Sequence, residues 1–310
     1  MEKKVQDLVV QFNINMATEA KVYLGRDTRQ SGPKLITALI DGIEAAGGSY
    51  INFGLLTTPQ LHYIVRCVNT NNQYGDPSEE GYYQKLATAY LQLVELIGPK
   101  DNYQPHVVVD AANGVGALKL ERLVPYLLGK ITLDIIHDPN GVLNYQCGAD
   151  YVKVNQREPY SVKLKPQQRY VSFDGDADRI IYYYQNSEDG KFHMLDGDKI
   201  AVLVAKFLKQ TLAKIDLADI KVSIVQTAYA NGSSTIYIGD ILGVETFCVA
   251  TGVKHLHRKA EHCQIGVYFE ANGHGTILFS EEVHNRIEKS LNPNAKQLLH
   301  FIDLVNQVRG

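Results

Sequence analysis

The residues with the clearest chemical potential form one short acidic run, DGDADR, at positions 174–179. Its carboxylates, on Asp174, Asp176 and Asp178, alternate with two small residues, so the backbone can curl and bring them together. Carboxylates packed this closely repel one another unless a cation lies among them. Oxygen-only ligands favour a hard ion, Mg²⁺ or Mn²⁺, over Zn²⁺. Arg179 could hold a phosphate oxygen beside such an ion, so the run predicts metal-assisted phosphoryl transfer.

Apolar and aromatic residues predict a strand before this run, Tyr170–Phe173, and another after it, Arg179–Tyr184. A charged loop between two buried strands is a typical place for a rigidly held site. A solvated acidic turn in a hairpin is the simpler alternative, and a lone Asp-x-Asp would favour it. An EF-hand is excluded, because its loop needs Gly at the sixth position and Glu at the twelfth, where this chain has Arg179 and Gln185.

A second polar run, Glu270–Thr276, follows the predicted strand Ile265–Phe269. Glu270 can accept hydrogen bonds from two neighbouring hydroxyl groups, and Asn272 can both donate and accept. His274 can carry a proton near neutral pH or donate to a phosphate. Taken alone, the run fits a polar hairpin turn as well as it fits a loop that contacts a polyol.

Two basic segments carry weaker signals. In the segment 251–258 the simplest interpretation is a helix N-terminus that Thr251 caps, although Lys254 could meet a phosphate there. His255 and His257 would face different ways on a helix, so a zinc site is not predicted. The segment Gly25–Arg29 is ambiguous, because its arginines could face a phosphate or pair with its aspartate.

Several motifs in the same order resemble the α-D-phosphohexomutases. The acidic run resembles the metal-binding loop of that superfamily, and Gly25–Arg29 resembles its Gly-Arg-Asp-x-Arg segment. The Glu-Ala-Asn-Gly-His form of the second polar run is the most branch-specific feature, since other branches more often carry Ser where this chain has Asn272. Four segments are similar to the phosphoacetylglucosamine mutase branch: Gly54–His62, Asp110–Gly116, Thr251–His257 and Phe269–Thr276.

The resemblance implies an α/β fold of consecutive mixed-sheet domains. It implies Mg²⁺ as cofactor on Asp174, Asp176 and Asp178, and a shift of phosphate between O6 and O1 of N-acetylglucosamine phosphates, which feeds UDP-N-acetylglucosamine biosynthesis. The other site residues that it implies are Arg179 and His274 in catalysis, and Thr251, Gly252, Lys254, Glu270, Asn272 and His274 in substrate binding.

Two parts of the family pattern are missing. The mutases carry a phosphorylated serine in a Ser-His-Asn-Pro loop, and no Ser-His occurs in this chain. The nearest string, Ser290–Pro293, lacks the histidine, and the phosphate-gripping Arg-Pro-Ser-Gly-Thr string is absent too. We therefore expect a partial first domain at 1–103, a second with the metal loop at 104–195 and a third with the sugar loop at 196–310. By itself this fragment should not turn over by the family mechanism.

Two alternatives stay open. A Mg²⁺-dependent phosphatase or phosphotransferase would use Asp174 as its nucleophile, because Asp-x-Asp after a strand also marks that class. Such a site needs a lysine and a further acidic pair, which the sequence does not identify. The other alternative is a truncated chain that binds sugar phosphate without catalysis.

Composition narrows the functional classes. A formal net charge of −3 gives no basic face for nucleic acid. Apolar runs such as Ala201–Ala205 are too short to span a bilayer, and the N-terminus lacks the pattern of a signal peptide. The four cysteines have no paired spacing and are predicted to be reduced and mostly buried. We therefore expect a cytoplasmic protein without nucleic-acid or membrane partners.

Alternating patterns predict the secondary structure. Strands Lys21–Gly25 and Tyr50–Phe53 flank a helix and should be parallel, because a crossover connects them. The segment Gly98–Pro105 is the clearest linker, and the glycines of Asn113–Gly116 are expected to serve a tight turn with close helix packing. Asp196 should cap a helix that runs through Leu212. The other predicted elements are a helix around 83–97, strands His106–Asp110, Val222–Gln226, Thr246–Ala250 and Gly266–Glu270, and a helix over Ala295–Val308.

Overall fold

The first unit contains the predicted pair of parallel strands with a helix crossing between them. The structure is a computed structural model that describes residues 2–99 and 103–308. The strands pair from Lys21 with Ser49 to Arg26 with Leu55, with one irregularity after Leu24. The elements of this unit are α1 (Glu2–Gln11), β1 (Lys21–Arg26), α2 (Gly32–Ala45), β2 (Ser49–Leu55), α3 (Thr58–Asn69) and α4 (Glu79–Ile97).

Helix α3 is additional to the predicted elements. It follows β2 directly and begins with a capping box, in which the side chains of Thr57 and Gln60 satisfy each other's backbone N–H groups. Pro59 lies in its first turn, where the missing N–H does no harm. These local interactions fix the direction in which the first turn of α3 points.

The second unit is a five-stranded mixed sheet in the order β4-β3-β5-β6-β7. Strand β3 pairs in parallel with both of its neighbours, whereas β5, β6 and β7 form antiparallel pairs. The predicted strands around the acidic run are therefore confirmed as a hairpin. The elements are β3 (His106–Asp110), α5 (Val115–Leu123), β4 (Thr132–Ile136), α6 (Ala149–Asn155), β5 (Arg169–Phe173), β6 (Ile180–Gln185) and β7 (Phe192–Leu195).

The third unit is a four-stranded mixed sheet in the order β11-β10-β8-β9, in which only the β10–β11 pair is antiparallel. Asp196 caps its first helix by accepting the N–H of Lys199, as predicted. The elements are α7 (Gly197–Lys214), β8 (Val222–Thr227), α8 (Gly232–Ile236), β9 (Glu245–Val249), α9 (Val253–Ala260), β10 (Ile265–Phe269), β11 (Gly275–Phe279), α10 (Glu281–Glu288) and α11 (Pro293–Val308).

Packing joins the three units. The largest apolar cluster lies in the third unit, where Leu208, Ile224 and Ile302 are almost fully buried. The last helix, α11, also packs on α4, and Gln297 Nε2 donates to the Leu96 carbonyl at 3.2 Å.

Among the described residues, no helix is both long and apolar enough to cross a bilayer.

The cysteines are free, but fewer of them are buried than predicted. Cys67 and Cys147 are buried, Cys263 is half-buried and Cys248 is exposed. Cys248 lies on β9, an edge strand of the third sheet, between Phe247 and Val249, which pack against an apolar cluster on the other face of the strand. The prediction of mostly buried thiols is therefore wrong for this residue.

Candidate functional site

The acidic run forms the loop that joins β5 to β6, and we call residues 174–179 the metal loop. The first turns of two helices hold its backbone. The N–H of Val115, at the start of α5, donates to the Gly175 carbonyl at 3.2 Å. The N–H of Thr58, at the start of α3, donates to the Asp176 carbonyl at 3.1 Å. Successive carbonyls of the loop thus satisfy helix N–H groups that have no partner within their own helices.

The glycines at the start of α5, Gly114 at its N-cap and Gly116 in its first turn, serve this contact, as the predicted close packing requires. A Cβ atom on Gly114 would lie 2.5 Å from the Gly175 carbonyl oxygen, closer than real Cβ contacts. One on Gly116 would lie 3.1 Å from Ala177 Cβ. Ala177 itself has a left-handed backbone, with φ of 58°. The turn and the loop therefore fit together closely, and the loop curls as its small residues predict.

The carboxylates of the loop converge. Asp174, Asp176 and Asp178 each offer an oxygen within 4.8 Å of the others, and they form the only such group of potential metal ligands among the described residues. Asp174 is 5% exposed, and its burial, together with the charges of Asp178 and Asp176, raises its pKa to about 7. Asp178 Oδ1 is buried and has no hydrogen-bond partner among the described residues. A hard cation would offset the repulsion between the carboxylates and would give Asp178 Oδ1 a partner, so these oxygen ligands fit Mg²⁺.

Basic groups surround the metal loop. Arg179 Nη1 contacts both carboxylate oxygens of Asp150 at 3.1 Å, while its Nε lies 3.6 Å from Asp174 Oδ2. Arg29 pairs with Asp27 at 2.5 Å and reaches within 3.9 Å of Asp176. Arg29, for which the sequence allowed either role, thus makes the ion pair with Asp27 and also lies at the edge of the metal loop. A role of Arg179 in holding phosphate stays a prediction.

The second polar run joins β10 to β11, and we call residues 270–276 the sugar loop. Glu270 is buried, and its Oε1 accepts hydrogen bonds from the Gly252 N–H at 3.1 Å and the Tyr229 hydroxyl at 3.3 Å. Within the part of the chain that the structure describes, its Oε2 has a single long contact of 3.5 Å, from Asn272 Nδ2. One oxygen of Glu270 is therefore anchored by the protein, and the other remains able to accept from a ligand.

The sugar loop and the metal loop meet. A Cβ atom on Gly273 would lie 2.0 Å from the carbonyl oxygen of Ile180, the first residue after the metal loop. The next residue, His274, has its Nδ1 3.7 Å from Asp178 Oδ2. The two runs, which lie about ninety residues apart in the chain, are thus brought into contact by the packing of the second and third units.

The basic segment at 251–258 differs from its simplest interpretation. Helix α9 begins at Val253. Its N-cap residue is Gly252, which has no side chain that could cap the helix. The prediction that Thr251 caps the helix is wrong, because Gly252 takes a φ of 116° and turns its N–H toward Glu270. His257 Nδ1 lies within hydrogen-bond distance of the Tyr268 hydroxyl, at 2.8 Å.

Two cavities adjoin the metal loop. A cavity of about 570 Å³ lies between the first and third units, and Thr58, Asp178, Lys254 and His274 are among its lining residues. A smaller cavity of about 290 Å³ lies on the first unit and is lined by Arg26, Arg29 and Asp176, among others. The larger volume falls in the range of small-molecule sites.

The structure brings together the predicted site residues Asp174, Asp176, Asp178, Arg179 and His274, and it places Lys254 on the same cavity. Thr251 is exposed, and no contact of its side chain with the loops is observed. Among the described residues, three whose side chains hydrogen-bond to the loops are not identified by the sequence: Thr58, Asp150 and Tyr229. Only Thr58 carried a signal, since it belongs to the family-like segment Gly54–His62.

Comparison with known families covers nearly the whole chain. Residues 196–310 match the family model "Phosphoacetylglucosamine mutase AMG1, domain III", and residues 75–181 match domain II of the same set. Residues 3–73 match domain I of the phosphoglucomutase/phosphomannomutase family. The phosphoacetylglucosamine mutase of Homo sapiens is 46% identical over 100% of this chain and 58% of its own length.

Solved structures show the same similarity. The apo form of an N-acetylglucosamine-phosphate mutase has a TM-score of 0.84 and 45% identity, over 99% of this chain and 68% of the other. An Aspergillus fumigatus N-acetylphosphoglucosamine mutase in complex with GlcNAc-6P and magnesium has a TM-score of 0.85 and 42% identity, over 97% and 57%.

Fold and site together are those of the α-D-phosphohexomutase superfamily. The mixed α/β domain class predicted from the sequence is thereby confirmed. Within that superfamily, the chain belongs to the phosphoacetylglucosamine mutase family. It spans 58% of the length of its human relative.

The metal assignment gives a direct prediction. Replacing Asp176 by Asn removes one charge at nearly constant volume, and Mg²⁺ affinity is expected to fall at least about 10-fold, since even outer-shell partners typically contribute 10–100-fold. Calorimetric titration with Mg²⁺ measures the change, and Asp240→Asn, an exposed aspartate in the third unit, is the control. Equal affinity in both variants would show that the metal assignment is wrong.

Proposed function

We propose that this chain provides the metal-binding and sugar-binding parts of a phosphoacetylglucosamine mutase, which interconverts N-acetylglucosamine 6-phosphate and N-acetylglucosamine 1-phosphate for UDP-N-acetylglucosamine synthesis. The observation that carries the proposal is the meeting of the two loops: His274 Nδ1 lies 3.7 Å from Asp178 Oδ2. Both residues line the cavity of about 570 Å³. A phosphate at the metal loop and a sugar ring at the sugar loop could thus belong to one molecule.

Each predicted residue has a role in this proposal. Asp174, Asp176 and Asp178 would hold Mg²⁺, which when bound supplies charge neutralisation for the transferring phosphoryl group. Glu270 would accept a hydrogen bond from a sugar hydroxyl through Oε2, because Oε1 already accepts from the Gly252 N–H and the Tyr229 hydroxyl. Asn272 would supplement this contact.

The remaining predicted residues would lie near the phosphate of the substrate. Lys254 and His274 line the large cavity and would contact a phosphate there. Arg179 would supply positive charge beside the metal loop. Thr251 and Gly252 would position the segment that leads into α9.

The four free cysteines suit a reducing compartment, and we place the protein in the cytoplasm.

The geometry of Asp174 bears on the phosphatase alternative. A nucleophilic carboxylate needs an oxygen that the substrate can reach, whereas Asp174 is only 5% exposed. Its Oδ1 accepts the backbone N–H groups of Asp178 and Arg179, at 3.2 and 3.3 Å. These features favour a fixed metal ligand over a nucleophile.

A chimera tests the proposed function in a full-length setting. These 310 residues would replace the matching stretch of the human relative, whose remaining length supplies the rest of the protein. Conversion of N-acetylglucosamine 6-phosphate to the 1-phosphate is then followed in a coupled assay with Mg²⁺. Turnover at roughly 1–1000 per second would support the proposal. A folded chimera that only releases inorganic phosphate would instead favour the phosphatase alternative.

The sugar loop gives a second prediction, on the 310-residue chain itself. Glu270→Gln replaces a charged acceptor by a weaker one and should weaken binding of N-acetylglucosamine 6-phosphate by about 1–3 kcal/mol, and Asn272→Ala should act in the same direction. NMR titration with Mg²⁺ present measures the affinity, and the control is Glu288→Gln, an exposed glutamate on α10. Shifts confined to residues outside the two loops would count against this role.

A further inference from the structure

One hydroxyl group connects the first unit to the metal loop. Thr58 Oγ1 donates to Asp176 Oδ2 at 2.6 Å, a short and therefore strong hydrogen bond to a carboxylate. The N–H of the same residue donates to the Asp176 carbonyl at 3.1 Å. Both ends of Asp176, its backbone carbonyl and its side chain, are thus held by a single residue that lies 118 positions earlier in the chain.

The position of Thr58 is itself fixed. It is the first residue of α3, and the capping box of Thr57 and Gln60 sets the direction of the first turn. The backbone N–H of Thr58 belongs to the positive end of the α3 dipole, which favours the negative charge of Asp176. Thr58 also lines both cavities that adjoin the metal loop. It therefore stands rigidly at the border between the two units.

This contact limits what the Asp176 carboxylate can do. A carboxylate that accepts a hydrogen bond from a hydroxyl at one oxygen cannot rotate freely, so its other oxygen has a fixed direction. Arg29, at 3.9 Å from Asp176 Oδ1, is too distant to fix that orientation by a hydrogen bond. In metal sites, hydrogen bonds of this kind orient the ligands and their loss weakens metal binding.

We propose that Thr58 is a positioning residue of the metal centre, which orients Asp176 and makes α3 of the first unit part of the Mg²⁺ site. The inference rests on the proposed metal role of the acidic loop. It adds that Mg²⁺ binding and the docking of the first unit on the second are coupled, because one side chain serves both. A structural role alone would hold the units together without changing metal affinity.

The test compares three threonine variants by calorimetric titration of the 310-residue chain with Mg²⁺. Thr58→Val removes the hydroxyl at constant shape and should weaken Mg²⁺ binding by about 10–100-fold. Thr58→Ser retains the hydroxyl and should restore an affinity close to that of the parent chain. Thr37→Val is the matched control, since the Thr37 hydroxyl bonds to the Pro33 carbonyl on an exposed face of α2. It should leave Mg²⁺ binding unchanged.

A double-mutant cycle adds a readout that a purely structural role would not move. If Thr58 acts through Asp176, Thr58→Val should cause no further loss of affinity in the Asp176→Ala background, where position 176 has no side-chain acceptor for the Thr58 hydroxyl. Unchanged Mg²⁺ affinity in a folded Thr58→Val variant would overturn the proposal, and so would an equal loss in Thr58→Ser.

Failure of a variant to fold and failure of the parent chain to bind Mg²⁺ have separate consequences. Should Thr58→Val not fold, Thr58→Ala is compared with Thr58→Ser in its place, and failure of the alanine variant to fold would make Thr58 structural and overturn the inference. A parent chain that binds no Mg²⁺ would overturn the metal part of the proposed function, and the Thr58 inference with it. Binding by the parent together with equal binding by Thr58→Val would overturn the Thr58 inference alone.

Discussion

Asp174→Asn is expected to make the metal-free chain more stable and the full-length chimera nearly inactive. Burial and the neighbouring charges of Asp178 and Asp176 raise the pKa of Asp174 from 3.8 to about 7, so the fold disfavours the ionised carboxylate. Asparagine removes that charge but keeps an oxygen that can accept the N–H groups of Asp178 and Arg179. The loop should therefore retain its shape while it loses a metal ligand.

The stability effect has a definite pH dependence. Because the pKa is higher in the folded than in the unfolded chain, the ionised carboxylate costs stability. This cost is complete above about pH 7, shrinks as pH falls, and disappears below 3.8, where both states are protonated. The gain in melting temperature from Asp174→Asn should thus be largest near pH 8, by a few degrees, and should shrink on acidification. Thermal unfolding without Mg²⁺, at several pH values, measures it.

The activity effect has the opposite sign. Loss of a preorganised charge at a reacting centre commonly lowers turnover on the order of 10³-fold, and we expect that loss for the Asp174→Asn chimera. Asp240→Asn is again the control, because it changes the same atoms at an exposed position. Parental turnover in a folded Asp174→Asn chimera would contradict the metal assignment, whereas inactivity without any gain in apo stability would contradict the repulsion argument alone.

The sequence predicts secondary structure correctly where the signal is local, as it is for apolar periodicity and for helix caps. The βαβ pair of the first unit, the hairpin around the metal loop and the Asp196 cap are all confirmed. Helix α3 was missed because it starts directly after β2, with no linker to mark the change, and its start depends on the capping box of Thr57 and Gln60. The domain boundaries drawn from the linker stay predictions.

The sequence identifies the candidate ligand residues of the site, but it does not identify the residues that hold them in position. Each loop concentrates its chemistry in a few adjacent residues, so residue type alone identifies Asp174 or Glu270 as a candidate. The groups that orient them come from distant segments, as Tyr229 does for Glu270 and Asp150 does for Arg179. Such pairings depend on how the units pack, and no local pattern encodes them.

The failed Thr251 cap illustrates the same limit. A threonine before a helix is a frequent cap, and the local sequence favours that role. Here, however, the buried Glu270 carboxylate draws the Gly252 N–H at 3.1 Å, and the glycine can adopt the φ of 116° that this requires. A long-range charged hydrogen bond therefore overrides the local preference.

Gly273→Ala is expected to separate the two loops and to destabilise the chain by about 2–4 kcal/mol, through overpacking together with a left-handed backbone. Gly273 has a φ of 95°, and a Cβ atom there would lie 2.0 Å from the Ile180 carbonyl oxygen and 2.8 Å from its carbonyl carbon. Both obstacles are backbone atoms of β6, which cannot rotate away as a side chain could. The sugar loop must therefore move, and it carries His274 away from Asp178.

Gly190→Ala separates the two causes of this effect. Gly190 also has a positive φ, of 67°, but nothing lies within 4 Å of its Cβ position, so alanine there meets the backbone cost without the clash. Urea unfolding should thus show a clearly larger loss for Gly273→Ala, and NMR titration should show weaker binding of N-acetylglucosamine 6-phosphate for that variant only. Equal destabilisation by the two changes, with sugar-phosphate binding intact, would mean that contact between the loops is not what shapes the site.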